Sequence, residues 1–141
     1  MPKNSDMGPY SPEELIKLAL KAKDNAYVPY SQFHVGAALV ADDGKVYTGC
    51  NVENSSYGAT ICAERSAIVK AVSEGAKKIR EIAVVSDSDK YTIPCAICLQ
   101  VMSEFCEADM KLHLANNKGE YRTYDFKDLL PTPFNLSEQT H

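Results

Sequence analysis

The chain has 141 residues, enough for one domain with a real core. A formal charge of −4 and an isoelectric point near 5.3 give it no basic face, which argues against a nucleic-acid partner. No apolar run approaches the ~20 residues of a membrane helix, and Met1–Pro9 lacks the apolar centre of a signal peptide, so no membrane partner is expected.

Residues 1–10 read as a flexible lead and 11–141 as a single domain. Ser11-Pro12-Glu13-Glu14 combines an N-cap serine, a proline at the first helical position and a glutamate three residues after the cap. With Leu15, Leu18, Ala19, Ala22 and Ala26 at helical spacing, this predicts a helix over about 12–27. Phe33 to Ala41 reads as a strand, Asp43-Gly44 as a hairpin turn, and Val46 to Glu53 as the returning strand. A polar connection over 54–60 leads into a second helix that begins near Cys62 and stops at Gly75. Ile79–Ser86 is a buried strand, and Cys95 to Phe105 a third helix with Leu99, Met102 and Phe105 at core spacing. Met110, Leu112 and Leu114 alternate as a strand should. Asn116-Asn117-Lys118-Gly119 turns the chain, and Tyr121–Phe126 returns ahead of a short helix over 125–130 and a tail. The order α-β-β-α-β-α-β-β predicts an α/β fold, a single five-stranded sheet with helices packed against it. Its last two strands are antiparallel, because a four-residue turn cannot make a parallel crossover.

Three cysteines and a glutamate carry the chemistry. Cys95 and Cys98 are spaced so that two thiolates reach one zinc from the first turn of a helix, and Cys62 is the candidate third ligand. A fourth tetrahedral position then stays open for water. Glu64, two residues after Cys62, reads as the proton carrier for that water. Alone, the C-x-x-C pair also suits a redox dithiol or a structural zinc knuckle completed by Cys50, Cys106, His34 or His113. Cys62-Ala63-Glu64 and the proline before Cys95 turn the balance towards a catalytic zinc, in the pattern of the zinc-dependent base deaminases. Three thiolates among five cysteines imply a reducing, cytoplasmic setting, with Cys50 and Cys106 as buried free thiols.

Longer stretches resemble the small cytidine deaminases of nucleoside salvage. Those stretches are Pro29-Tyr30-Ser31-x-Phe33-x-Val35-Gly36-Ala37-Ala38, Gly49-Cys50-Asn51-Val52-Glu53-Asn54, Cys62-Ala63-Glu64-Arg65 and Leu129-Leu130-Pro131. The resemblance implies a three-layer sandwich and a homotetramer with one zinc per chain. It also implies hydrolysis of cytidine and deoxycytidine to uridine and deoxyuridine, with release of ammonia. A modified or N4-substituted cytidine, or a related aminopyrimidine nucleoside, is the alternative substrate. By the same resemblance Cys62, Cys95 and Cys98 hold zinc, Glu64 shuttles protons, and Asn51 and Glu53 bind the ribose. Phe33 packs beside the nucleoside, and the Ala63 backbone meets the base. Ser55, Tyr57 and Phe134 match positions that reach into a neighbour's site. Arg65 is expected to hydrogen-bond the zinc thiolates. The chain departs from the family's usual C-G-x-C-R-Q at Ala96 and Leu99. Leu99 either leaves the zinc field one cation short or belongs to the core stripe with Met102.

Overall fold

The computed structural model describes residues 10–139, so all of the expected 1–10 lead but Tyr10 lies outside the described residues. In chain order the elements are α1 (Pro12–Lys23), β1 (Val35–Ala41), β2 (Val46–Cys50), a 3-10 turn (Tyr57–Ala59), α2 (Ala63–Ser73) and β3 (Ile79–Ser86). There follow α3 (Ala96–Phe105), β4 (Lys111–Ala115), β5 (Tyr121–Asp125), α4 (Phe126–Leu129) and α5 (Leu136–Gln139). The five strands form one mixed sheet in the order β2-β1-β3-β4-β5. Only β3 and β4 run parallel, joined by the α3 crossover, and β4–β5 is antiparallel as expected.

Helix α1 begins as its sequence requires. The Ser11 hydroxyl accepts from the Glu14 amide at 3.2 Å, and the Glu14 carboxylate accepts from the Ser11 amide at 2.9 Å. It stops at Lys23 rather than 27, because Tyr27 leaves the helix to bridge Val52. Both strands of the first hairpin are shorter than the apolar pattern suggested. β1 starts at Val35 instead of Phe33 and β2 ends at Cys50 instead of Glu53, so Phe33, Asn51 and Glu53 lie on loops. Helix α5 falls in what read as a tail.

Alternation along the strands sorts side chains onto two faces. Ala38, Val40, Ala83, Val85 and Ala115 pack beneath Leu15, Ile16 and Ala19 of α1. Leu39, Ile82, Val84, Leu112 and Leu114 meet Ile68 of α2 and Cys98, Leu99 and Met102 of α3 on the other face. The result is a three-layer sandwich. Two glycines set the spacing of these layers. A Cβ on Gly36 would lie 2.0 Å from the Ala19 carbonyl oxygen of α1, and one on Gly49 would lie 2.5 Å from the Ala67 amide of α2. Each helix therefore rests on bare strand backbone. Leu99 is buried in the core with Met102, which decides between its two readings. Cys50 and Cys106 are free but only half-buried, a correction to the expectation that the core encloses them.

Candidate functional site

Two loops bring the metal ligands together. The β2–α2 connection ends at Cys62 and the β3–α3 connection at Cys95, and each cysteine is the N-cap of its helix. Neither sulfur caps its own helix, so both are free to face a metal. Cys98 follows in the first turn of α3 and is fully buried. The three Sγ atoms lie within 4.8 Å of one another, and Cys62 and Cys95 are 4.0 Å apart. Zinc–sulfur bonds of about 2.3 Å at a tetrahedral angle require sulfurs about 3.8 Å apart, so the cluster fits zinc. The positive ends of α2 and α3 meet at these sulfurs and favour thiolates.

Arg65 adds a cation. Its Nη2 donates to Cys62 Sγ at 3.5 Å and to the Thr60 carbonyl at 3.4 Å, as expected for a residue that steadies the thiolates. Without metal, hydrogen bonding from Cys98 and the nearby Arg65 hold the Cys62 thiol down to about 5. Cys98, donating to Cys62 and buried, is pushed up in turn. Glu64 lies in the first turn of α2 and is 5% exposed. Burial, reinforced by the Cys62 thiolate, lifts its carboxyl to about 7.

A cavity of about 210 Å³ opens over the cluster. Phe33, Asn51, Cys62, Ala63, Glu64 and Cys95 all line it, together with Val35, Thr60, Thr92 and Ile93. None of these last four was named as a site residue from the sequence, although Val35 falls in a stretch that carries the resemblance. Thr92 and Ile93 just precede the Pro94-Cys95 pair, and that adjacency was the signal available. Asn51 is held at both ends of its amide: Oδ1 accepts from the Val35 amide at 2.9 Å and Nδ2 donates to the Phe33 carbonyl at 2.9 Å. That fixes which way the amide points and leaves one N–H and one lone pair for a ligand.

Glu53 borders a neighbouring pocket of about 360 Å³ with Tyr30, Ser31, Asn54, Tyr57 and Thr60, and Thr60 is common to both. Ser55 and Phe134 border neither. Tyr57 is 78% exposed and Phe134 59%, the latter on a tail whose carbonyl accepts from Gln100 Nε2 at 3.0 Å.

Residues 9–114 match the cytidine and deoxycytidylate deaminase zinc-binding region. The chain belongs to this family. It is 46% identical over 129 residues to a cytidine deaminase of Sporosarcina psychrophila, covering 92% of this chain and 95% of that protein. Against a cytidine deaminase of Halalkalibacterium halodurans the identity is 49% over 124 residues, or 88% of this chain and 94% of that one. The crystal structure of a cytidine deaminase from Burkholderia pseudomallei superposes with a TM-score of 0.85 at 44% identity, covering 89% of this chain and 100% of that one. The cofactor is accordingly zinc, with Cys62, Cys95 and Cys98 as its site. No helix among the described residues is long and apolar enough to cross a membrane.

Proposed function

We propose that the chain hydrolyses cytidine and deoxycytidine to uridine and deoxyuridine, releasing ammonia, in pyrimidine salvage. One juxtaposition supports the reading above all: the buried Glu64 carboxyl lines the cavity that Cys62 and Cys95 also line, with Asn51 in the same wall. Zinc, when bound, supplies the Lewis acidity that makes water nucleophilic near neutral pH. Glu64 does the proton work. A carboxylate oxygen takes one proton from the water that attacks C4 of the pyrimidine and hands it to N3, where it stays in the product. The second proton, from the new C4 hydroxyl, passes through the same carboxylate to the amine, which departs as ammonia while the C4 carbonyl forms. The Ala63 backbone meets the base and Phe33 covers the nucleoside.

On the sugar side, Asn51 offers a donor and an acceptor and Glu53 an acceptor, a set that suits a hydroxyl group. The active unit is a homotetramer in which Ser55, Tyr57 and Phe134 of neighbouring chains complete each site. What supports this is that Ser55 and Phe134 border neither pocket of their own chain, while Tyr57 and Phe134 leave large aromatic surfaces in solvent. Five unpaired cysteines suit a cytoplasmic setting.

The test is direct. Zinc-loaded protein incubated with cytidine or deoxycytidine should lower the substrate's absorbance and release one ammonia per nucleoside. Turnover of neither nucleoside by protein holding one zinc per chain overturns the reading.

A further inference from the structure

Glu53 follows β2 on a loop, where a long carboxylate side chain is ordinarily free to swing. Here it is tied down three times. Oε1 accepts from the backbone amides of Tyr30 (3.0 Å) and Ser31 (3.1 Å), and Oε2 accepts from the Ser31 hydroxyl. The same hydroxyl oxygen accepts from the Phe33 amide at 3.0 Å. Only a group that donates and accepts through one atom can make both links, so alanine at position 31 makes neither and threonine makes both.

The turn that presents Ser31 is under strain. Gln32 has φ of 58°, the one non-glycine residue in the left-handed region among the described residues, while its amide donates to the Val28 carbonyl at 2.9 Å. Ser31 thus joins two parts of the candidate site: Glu53 on one side and the Phe33 backbone on the other. Phe33 is itself held to Asn51 through its carbonyl. The donors also keep the Glu53 carboxyl below its usual range, the Ser31 hydroxyl foremost.

We infer that Ser31 is a positioning residue for sugar recognition, holding the Glu53 carboxylate so that one acceptor site faces the substrate. A carboxylate has about four acceptor positions. Three are filled by Tyr30 and Ser31, and the one left, on Oε2, takes a hydrogen-bond donor from the ligand, as a sugar hydroxyl is. Because the side chain is already fixed, substrate binding does not have to order it. The inference rests on the reading of Glu53 as a sugar-binding residue.

The test is a double-mutant cycle on zinc-loaded enzyme with cytidine, supported by zinc content and melting curves for every variant. Ser31→Ala should raise KM roughly tenfold and hold kcat within about twofold, the pattern of lost uniform binding. Ser31→Thr should restore KM. Glu53→Ala should raise KM further, and Ser31→Ala/Glu53→Ala should lie close to Glu53→Ala alone and far below the product of the two single effects, because Ser31 acts mainly through Glu53. Multiplicative effects in the double variant overturn the inference, since Ser31 then acts on its own. So does a rise in KM for Glu53→Ala with none for Ser31→Ala, which leaves the sugar-binding reading intact. If Glu53→Ala leaves KM unchanged, the sugar-binding reading fails and the inference falls with it.

Discussion

The two halves of the candidate site are built in opposite ways. On the metal half, Cys62, Glu64 and Cys98 sit at or inside the first turns of α2 and α3, helices packed on the sheet, with Glu64 and Cys98 buried. On the half proposed to hold the sugar, called the sugar half below, Ser31, Phe33 and Glu53 lie on loops, held by hydrogen bonds rather than by burial. Packing fixes a reacting centre where charge must be controlled, and a hydrogen-bonded loop suffices where the task is to recognise a hydroxyl. The two halves should therefore fail differently, the metal half in kcat and the sugar half in KM.

The strongest test of that contrast is Glu64→Gln. Glutamine cannot carry a proton, so kcat should fall ~10²–10⁴-fold or more while zinc content and melting temperature stay at wild-type values. A variant that keeps kcat within tenfold of wild type shows that another group moves the proton. Next comes Asn51→Ala, which removes a proposed sugar contact and leaves the Phe33 carbonyl and Val35 amide without their partner. Its kcat/KM should fall about 10–100-fold, with KM carrying more of the loss than kcat. A loss confined to kcat would place Asn51 with the metal half.

The metal half was plain in the sequence because its signal is spacing. Cys62-Ala63-Glu64 and Pro94-Cys95-x-x-Cys98 each occupy one local stretch, and helix starts present such stretches in a single way. The sugar half was only partly legible. Asn51 and Glu53 could be named, but both were assigned to a strand that ends at Cys50. Their roles depend on a cross-loop register, in which Val52 bridges both Tyr27 and Ile61. Nothing periodic encodes those bridges. The same is true of Ser31, whose neighbour Gln32 adopts a backbone conformation that its residue type does not advertise. The antiparallel last pair was the easier part, since a short turn determines it locally, whereas the central order β1-β3-β4 joins strands distant in sequence.

Leu99 sharpens the boundary between metal site and core. It is 7% exposed and packs with Met102 on the core side of α3. Leu99→Ala should lower stability by about 2–5 kcal/mol in denaturant melts, and its kcat/KM should keep the wild-type acidic limb. A displaced acidic limb with zinc content unchanged would show that the packing of this side chain reaches the titrating groups of the site.

The smallest expected effect concerns the joint between the halves. Asp87, just after β3, opposes its own burial by accepting from the His34 amide at 2.7 Å, from the His34 ring and from Lys23. Those donors hold its carboxyl down to about 2 from an unfolded value of 3.8. A depressed folded value means the stabilisation is complete above the unfolded one and is lost as pH falls towards about 2. The melting temperature of wild type should therefore exceed that of Asp87→Asn at pH 6, with the gap closing between pH 4 and 2. A gap independent of pH would show that Asp87 contributes packing alone.

The bare backbone at Gly49 makes this one strand position unusually consequential for heredity. At most core positions a slightly larger side chain is absorbed by neighbours that change rotamer. At Gly49 the first obstacle is the Ala67 amide and Ala63 carbonyl of α2, at 2.5 and 2.8 Å from an added Cβ, and neither has a rotamer to change. A single methyl group there acts as a shim that lifts the helix bearing Cys62 and Glu64. At this codon a change of one carbon would be read out at the metal.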